Sequence, residues 1–147
     1  MSTTKKYTVG VIVVSFVALL LIAMFSTNFK VESHVARVDW LPSAASDITY
    51  ARRTGFGWSL TYECGVGEEE FRSLAEKEGW PIHQATNVAV SGLRLNLKLP
   101  ELTNALGEPT YTIERAFIFE RRQPNGGGTT VVYDRERSRL FFNKSHR

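Results

Sequence analysis

The stretch from Tyr7 to Phe25 constrains this chain more than any other. It has no charged side chain and is filled mainly by Val, Ile, Leu, Phe, Ala and Met, and a helix of that length crosses a hydrocarbon core of roughly 30 Å. A cleavable signal peptide would carry a shorter apolar region and small residues at its exit. Here the exit reads Ala23, Met24, Phe25, Ser26, Thr27, Asn28, Phe29, with bulky side chains where a peptidase needs small ones. The sequence therefore predicts a retained transmembrane helix over 7–29. Lys5 and Lys6 stand just before it, so the positive-inside tendency keeps the N-terminus cytoplasmic and exports the rest. The expected protein is a single-pass signal-anchor in the inner (plasma) membrane: leader 1–6, span 7–29, stalk 30–40, and an extracytoplasmic, periplasmic domain over 41–147.

Beyond the span lie roughly 120 residues, enough for one domain. The net charge of +3 includes the two leader lysines, so the exported part is near neutral and is no polybasic binder of nucleic acid. Charge is unevenly spread. Glu68, Glu69, Glu70, Glu76 and Glu78 crowd one stretch, while Arg115, Arg121, Arg122, Arg135, Arg137, Arg139, Lys144 and Arg147 load the tail. The lone Cys64 excludes an internal disulfide framework.

Along the chain, 26–45 is polar and irregular, interrupted by Pro42. Ile48, Thr49 and Tyr50 suggest a short strand, and Arg52 to Gly57 supply turn chemistry. Trp58, Leu60, Tyr62, Cys64 and Val66 then alternate with Ser59, Thr61, Glu63 and Gly65, which predicts a strand with one face on a core and one toward water. Cys64 falls on the apolar face, as a buried small hydrophobe would. Gly67, three glutamates, the apolar set Phe71, Leu74 and Ala75, and the stop at Gly79 and Pro81 predict a helix of about three turns. Trp80 is expected to fold back over its end. The alternating leucines 93 to 99 place a strand, or two short ones, over 88–99, closed by Pro100, with a helical turn over 101–106. Tyr111, Ile113, Phe117 and Phe119 are expected to share one strand face, with Arg115 intruding. The glycines 126 to 128 lead into Thr129 to Tyr133, a strand and not the helix a phosphate cradle requires. A last strand over 139–143 puts Leu140 and Phe142 on one face and Phe141 on the other.

Leu41, Pro42 and Ala45, the helix around Glu70, Phe71 and Trp80, and the closing residues Asn125 to Gly128, Val132, Tyr133, Asp134, Arg139 and Phe142 resemble bacterial proteins in which one short membrane span carries a small α+β domain. The resemblance implies a bacterial inner-membrane setting and assigns no functional residue. The order of elements predicts an α+β domain, an antiparallel sheet curved on one helix as in cystatin-like or NTF2-like rolls. A ferredoxin-like sandwich is the alternative, and it needs a second long helix.

No catalytic constellation, cofactor motif or metal-ligand spacing is present. His34, His83 and His146 stand far apart, with no carboxylate or cysteine at a ligand spacing. The leading expectation is a membrane-tethered, non-enzymatic interaction domain, an accessory subunit of an envelope complex. It would meet lipid through the span and other membrane or envelope proteins through Arg121, Arg122, Arg135, Arg137 and Arg139. The alternatives are an envelope-substrate enzyme using Cys64, His83, Asp134 or Glu63, and a lipid or glycan sensor using the arginine-rich end.

Overall fold

A computed structural model describes residues 15–16, 28–55, 57–91, 102–103 and 109–146. The expected span falls almost wholly outside the described residues, of which 15 and 16 are helical. Among the described residues no helix is long and apolar enough to cross a membrane.

The protein is an α+β fold: among the described residues it has one antiparallel sheet and one packed helix. The strands are β1 (Asn28–Val35), β2 (Ser46–Gly55), β3 (Gly57–Gly65), β4 (His83–Ser91), β5 (Leu102–Thr103), β6 (Pro109–Arg122), β7 (Gly128–Asp134) and β8 (Arg139–His146), with helix α1 (Glu68–Lys77) between β3 and β4. The sheet runs β1-β2-β3-β8-β7-β6-β4, with β5 paired to β6. Two meanders, β1-β2-β3 and β6-β7-β8, meet where β3 pairs with β8. The final strand is therefore central and buried on both faces, as its run Leu140, Phe141, Phe142 requires.

Helix α1 starts where three glutamates suit the positive end of its dipole. It stops at Gly79, whose φ of 66° is a conformation glycine adopts without strain. There the Gly79 and Trp80 amides donate to the Glu76 and Ala75 carbonyls at 3.1 and 2.8 Å, closing the helix in a Schellman motif. That turn lays Trp80 over Phe119 and Phe142, at centroid distances of 6.3 and 5.6 Å. Phe71 anchors the other end, stacked on Tyr133 at 4.4 Å, and the Tyr133 hydroxyl donates to the Val66 carbonyl at 3.0 Å. Burying such an aromatic side chain makes its loss cost about 3–5 kcal/mol.

Several local expectations are corrected. The stretch read as the end of the span and an irregular stalk opens with β1, paired to β2 from Asn28; an edge strand needs little apolar character to be held by its neighbour's hydrogen bonds. β2 does not stop at Tyr50: Arg52 and Thr54 continue the ladder, and the chain turns only between Gly55 and Gly57. β4 begins at His83, five residues before the expected start, and the leucines 93 to 99 lie outside the described residues. Leu102 and Thr103, expected in a helical turn, pair with β6 instead.

Faces are corrected as well. Phe117 and Phe119 join the core under α1, but Tyr111 and Ile113 belong with Val90, Ala116, Val132 and Phe141 in a second cluster. Because Val132 and Phe141 alternate with residues of the first core, this cluster lies on the opposite face. The phase of β6 slips at Glu114 and Arg115, opposite Asn87, which holds a left-handed φ of 54° that asparagine tolerates better than most residues. Glu63, expected toward water, is 3% exposed. Trp58, expected against the helix, is 41% exposed.

Candidate interaction surface

Three of the four candidate catalytic groups, Cys64, Asp134 and Glu63, are used by the fold itself. Cys64 is fully buried in the core under α1, and that burial pushes its thiol pKa up to about 12, so a thiolate is strongly disfavoured. Asp134 is fully buried at the end of β7. Its carboxylate accepts the Glu136 and Arg137 amides at 2.9 and 3.1 Å and the Arg137 guanidinium at 3.0 Å, which shapes the β7–β8 turn. His83 opens the edge strand β4 and is exposed. Among the described residues no group of three His, Cys, Asp or Glu side chains could hold a metal ion.

Glu63 belongs to a chain of charges that sequence reasoning missed. Arg139 donates to Glu63 at 3.2 Å and to Asp47 at 2.6 Å, and Asp47 meets the His34 ring Nδ1 at 2.7 Å. His34 and Asp47 sit at the two bulges that shift register in β1 and β2, with left-handed φ of 55° and 47°. Burial works against the Asp47 carboxylate, but hydrogen bonds from Arg139 and His34 outweigh it and lower its pKa. Four strands are thus stitched at one end of the sheet.

The same end uses Arg135. Its guanidinium donates to Glu68 at 3.0 Å and, with Arg72 on α1, flanks the Phe117 ring at 4.7 and 4.3 Å. Arg135, Arg137 and Arg139 are therefore each paired with a carboxylate. Arg121 and Arg122 lie at the opposite end, beside the β6–β7 loop. Arg122 meets Glu120 at 2.7 Å, and Arg121 lies over Phe119 at 5.3 Å. The five arginines expected to form one surface are divided between the two ends of the sheet.

The end holding Arg121 is the end from which β1 departs, and there the ladder assembles something no local pattern reveals. Arg121 pairs with Thr129, Thr129 with Lys144, Lys144 with Leu60, Leu60 with Arg52, and Arg52 with Lys30. Directly paired residues share a face, so Lys30, Arg52, Lys144 and Arg121 form one row across six strands, on the face that carries α1. The next row inward is aromatic and roofed by Trp80 and Trp40, whose ring centroid lies 4.8 Å from that of Tyr62. The next row outward holds Trp58, with the Lys144 ammonium 5.8 Å from its ring centroid. Trp40, Tyr50, Arg52, Trp58 and Leu60 line an open groove of about 570 Å³ here. Among the described residues Arg52, Arg53, Arg121 and Lys144 have no ion pair within 4.0 Å, while Lys30 is paired with Glu32, which also accepts from the Tyr50 hydroxyl at 2.5 Å.

Compared with protein-family models, curated proteins and solved structures, the chain matches none.

Proposed function

We propose that this chain is a membrane-tethered, non-enzymatic interaction domain, an accessory subunit of an envelope membrane complex held by a single span that begins at Tyr7 and ends before β1. The observation that carries this reading is the contrast in how side chains are used. Cys64, Asp134 and Glu63 are buried or locked in the fold's own hydrogen bonds, while Trp40 and Trp58 stand 45% and 41% exposed at a groove beside Arg52 and Lys144, which no carboxylate among the described residues neutralises. Exposed aromatic and basic groups gathered in one groove are the chemistry of contact, not of bond making. A cystatin-like or NTF2-like roll is the fold reading that accompanies it, supported by the single helix packed on an antiparallel sheet among the described residues. Such folds host inhibitors, enzymes and binding modules alike, so it is the groove and not the fold that supports a role in binding.

The rival is an enzyme acting on an envelope substrate, and one reagent separates the two. In the full chain, folded in mild detergent, Cys64 should resist a thiol-modifying reagent until denaturant is added, and a second chain should co-elute. Rapid labelling of the folded protein would return the enzyme to first place. A reporter fused after Arg147 should be active only outside the cytoplasm; activity inside the cell would sink the orientation.

A further inference from the structure

We infer that the cationic row Lys30, Arg52, Lys144 and Arg121, with Trp58 at its rim, takes the anionic headgroup layer of the membrane as its ligand, so that this end of the sheet rests against the bilayer. The inference deepens the tethered reading and rests on it. Lys30 stands five residues beyond Phe25, the last residue of the apolar stretch, and five residues reach at most about 18 Å. β1 starts at this end of the sheet, so an anchor in the bilayer delivers the row to its surface.

Charge and side-chain type fit that occupant. This end carries Lys30, Arg52, Arg53, Arg121, Arg122 and Lys144, against the carboxylates of Glu32 and Glu120 alone in the same rows and their neighbours. Strands lie about 4.8 Å apart, so a row over six of them extends about 24 Å, with long flexible cations at four of its six positions, a spread suited to many mobile phosphates and not to one shaped anion. Tryptophan beside lysine and arginine is the composition favoured at the headgroup level, where the ring meets acyl chain and water together. Among the described residues the opposite end of the sheet offers no comparable surface, since Arg135, Arg137 and Arg139 are held by Glu68, Asp134, Asp47 and Glu63.

The test uses the full chain reconstituted in vesicles of phosphatidylcholine, with or without phosphatidylglycerol, containing a lipid with a nitroxide on its headgroup. Tryptophan emission should be quenched strongly in the anionic vesicles and weakly in the neutral ones, and Trp58→Phe should remove the difference. Arg52→Gln and Lys144→Gln should each lower the ratio of docked to undocked domains roughly fivefold, as should added salt more gradually. Arg115→Gln, an exposed arginine away from the row, should behave as the wild type and controls for a general charge effect. Equal quenching in both lipids, or quenching indifferent to Arg52 and Lys144, overturns the inference. Extraction by alkaline carbonate reports separately on the anchor: a chain that resists extraction yet is not quenched refutes the row alone. A chain that is extracted but still binds anionic vesicles through Arg52 keeps the row and refutes the anchor.

Discussion

Among the described residues, the two ends of the sheet hold similar numbers of basic side chains and use them in opposite ways. At the end where β8 begins, Arg139 sits between Glu63 and Asp47, Arg137 closes on Asp134, and Arg135 joins Glu68 across to the helix. At the end where β1 begins, Arg52, Arg53, Arg121 and Lys144 face water without such partners among the described residues. Paired and buried cations hold strands together. Unpaired and exposed ones add little to stability and remain available to something else. Total charge says nothing about which role a given arginine has; the register of the strands decides it.

The largest expected effect comes from removing the centre of the paired end. Arg139→Ala leaves Glu63 buried without its cation, which should cost about 3 kcal/mol in urea unfolding of the full chain in mild detergent. Adding Glu63→Gln should restore part of that loss, because the orphaned charge is then gone. No recovery in the double variant would mean the arginine acts through packing.

Acid should separate the ends next. The Glu68 carboxyl is held below the usual carboxylate range, chiefly by the hydrogen bond from Arg135, and Asp47 is lowered because Arg139 and His34 outweigh its burial. A depressed folded pKa gives stability that is present above the unfolded value, about pH 4, and is lost as pH falls through the folded one. Unfolding midpoints should therefore drop below about pH 4, and Asp47→Asn should flatten that fall. Glu32 at the open end is also lowered, first by its bond to Lys30, but it is solvated, so Glu32→Gln should alter the acid limb less. The reverse ranking would dissolve the contrast. Smallest of all, Arg52→Gln and Lys144→Gln should change stability by no more than about 0.5 kcal/mol, even though the same variants are expected to change how the domain meets a membrane.

Elements signalled by neighbours in sequence were legible. Gly67, the three glutamates, Phe71, Leu74, Ala75 and Gly79 marked α1, and the alternation around Cys64 marked β3 and its buried thiol. The turn glycines 126 to 128 and the two-sided final strand were equally plain. Anything requiring strand register could not be read. Glu63 looks like a solvent-facing residue until Arg139, 76 positions away, is seen beside it. Arg52 looked like part of a turn because arginines and glycines come after Tyr50, whereas pairing with Lys30 and Leu60 extends the strand through it. β1 was hidden by its polarity, as edge strands often are, with Val31 itself 40% exposed.

The central position of β8 also sets an order of assembly. β1-β2-β3 and β6-β7 can each pair as they are made, but the seam between them is formed by Arg139–His146 and by nothing earlier in the chain. Until those residues arrive, β3 and β7 each present an unpaired edge, and both halves have apolar faces with no neighbour. Closure over so long a separation is slow compared with local pairing. A cell making this protein must therefore shelter two half-sheets until the last strand slides between them.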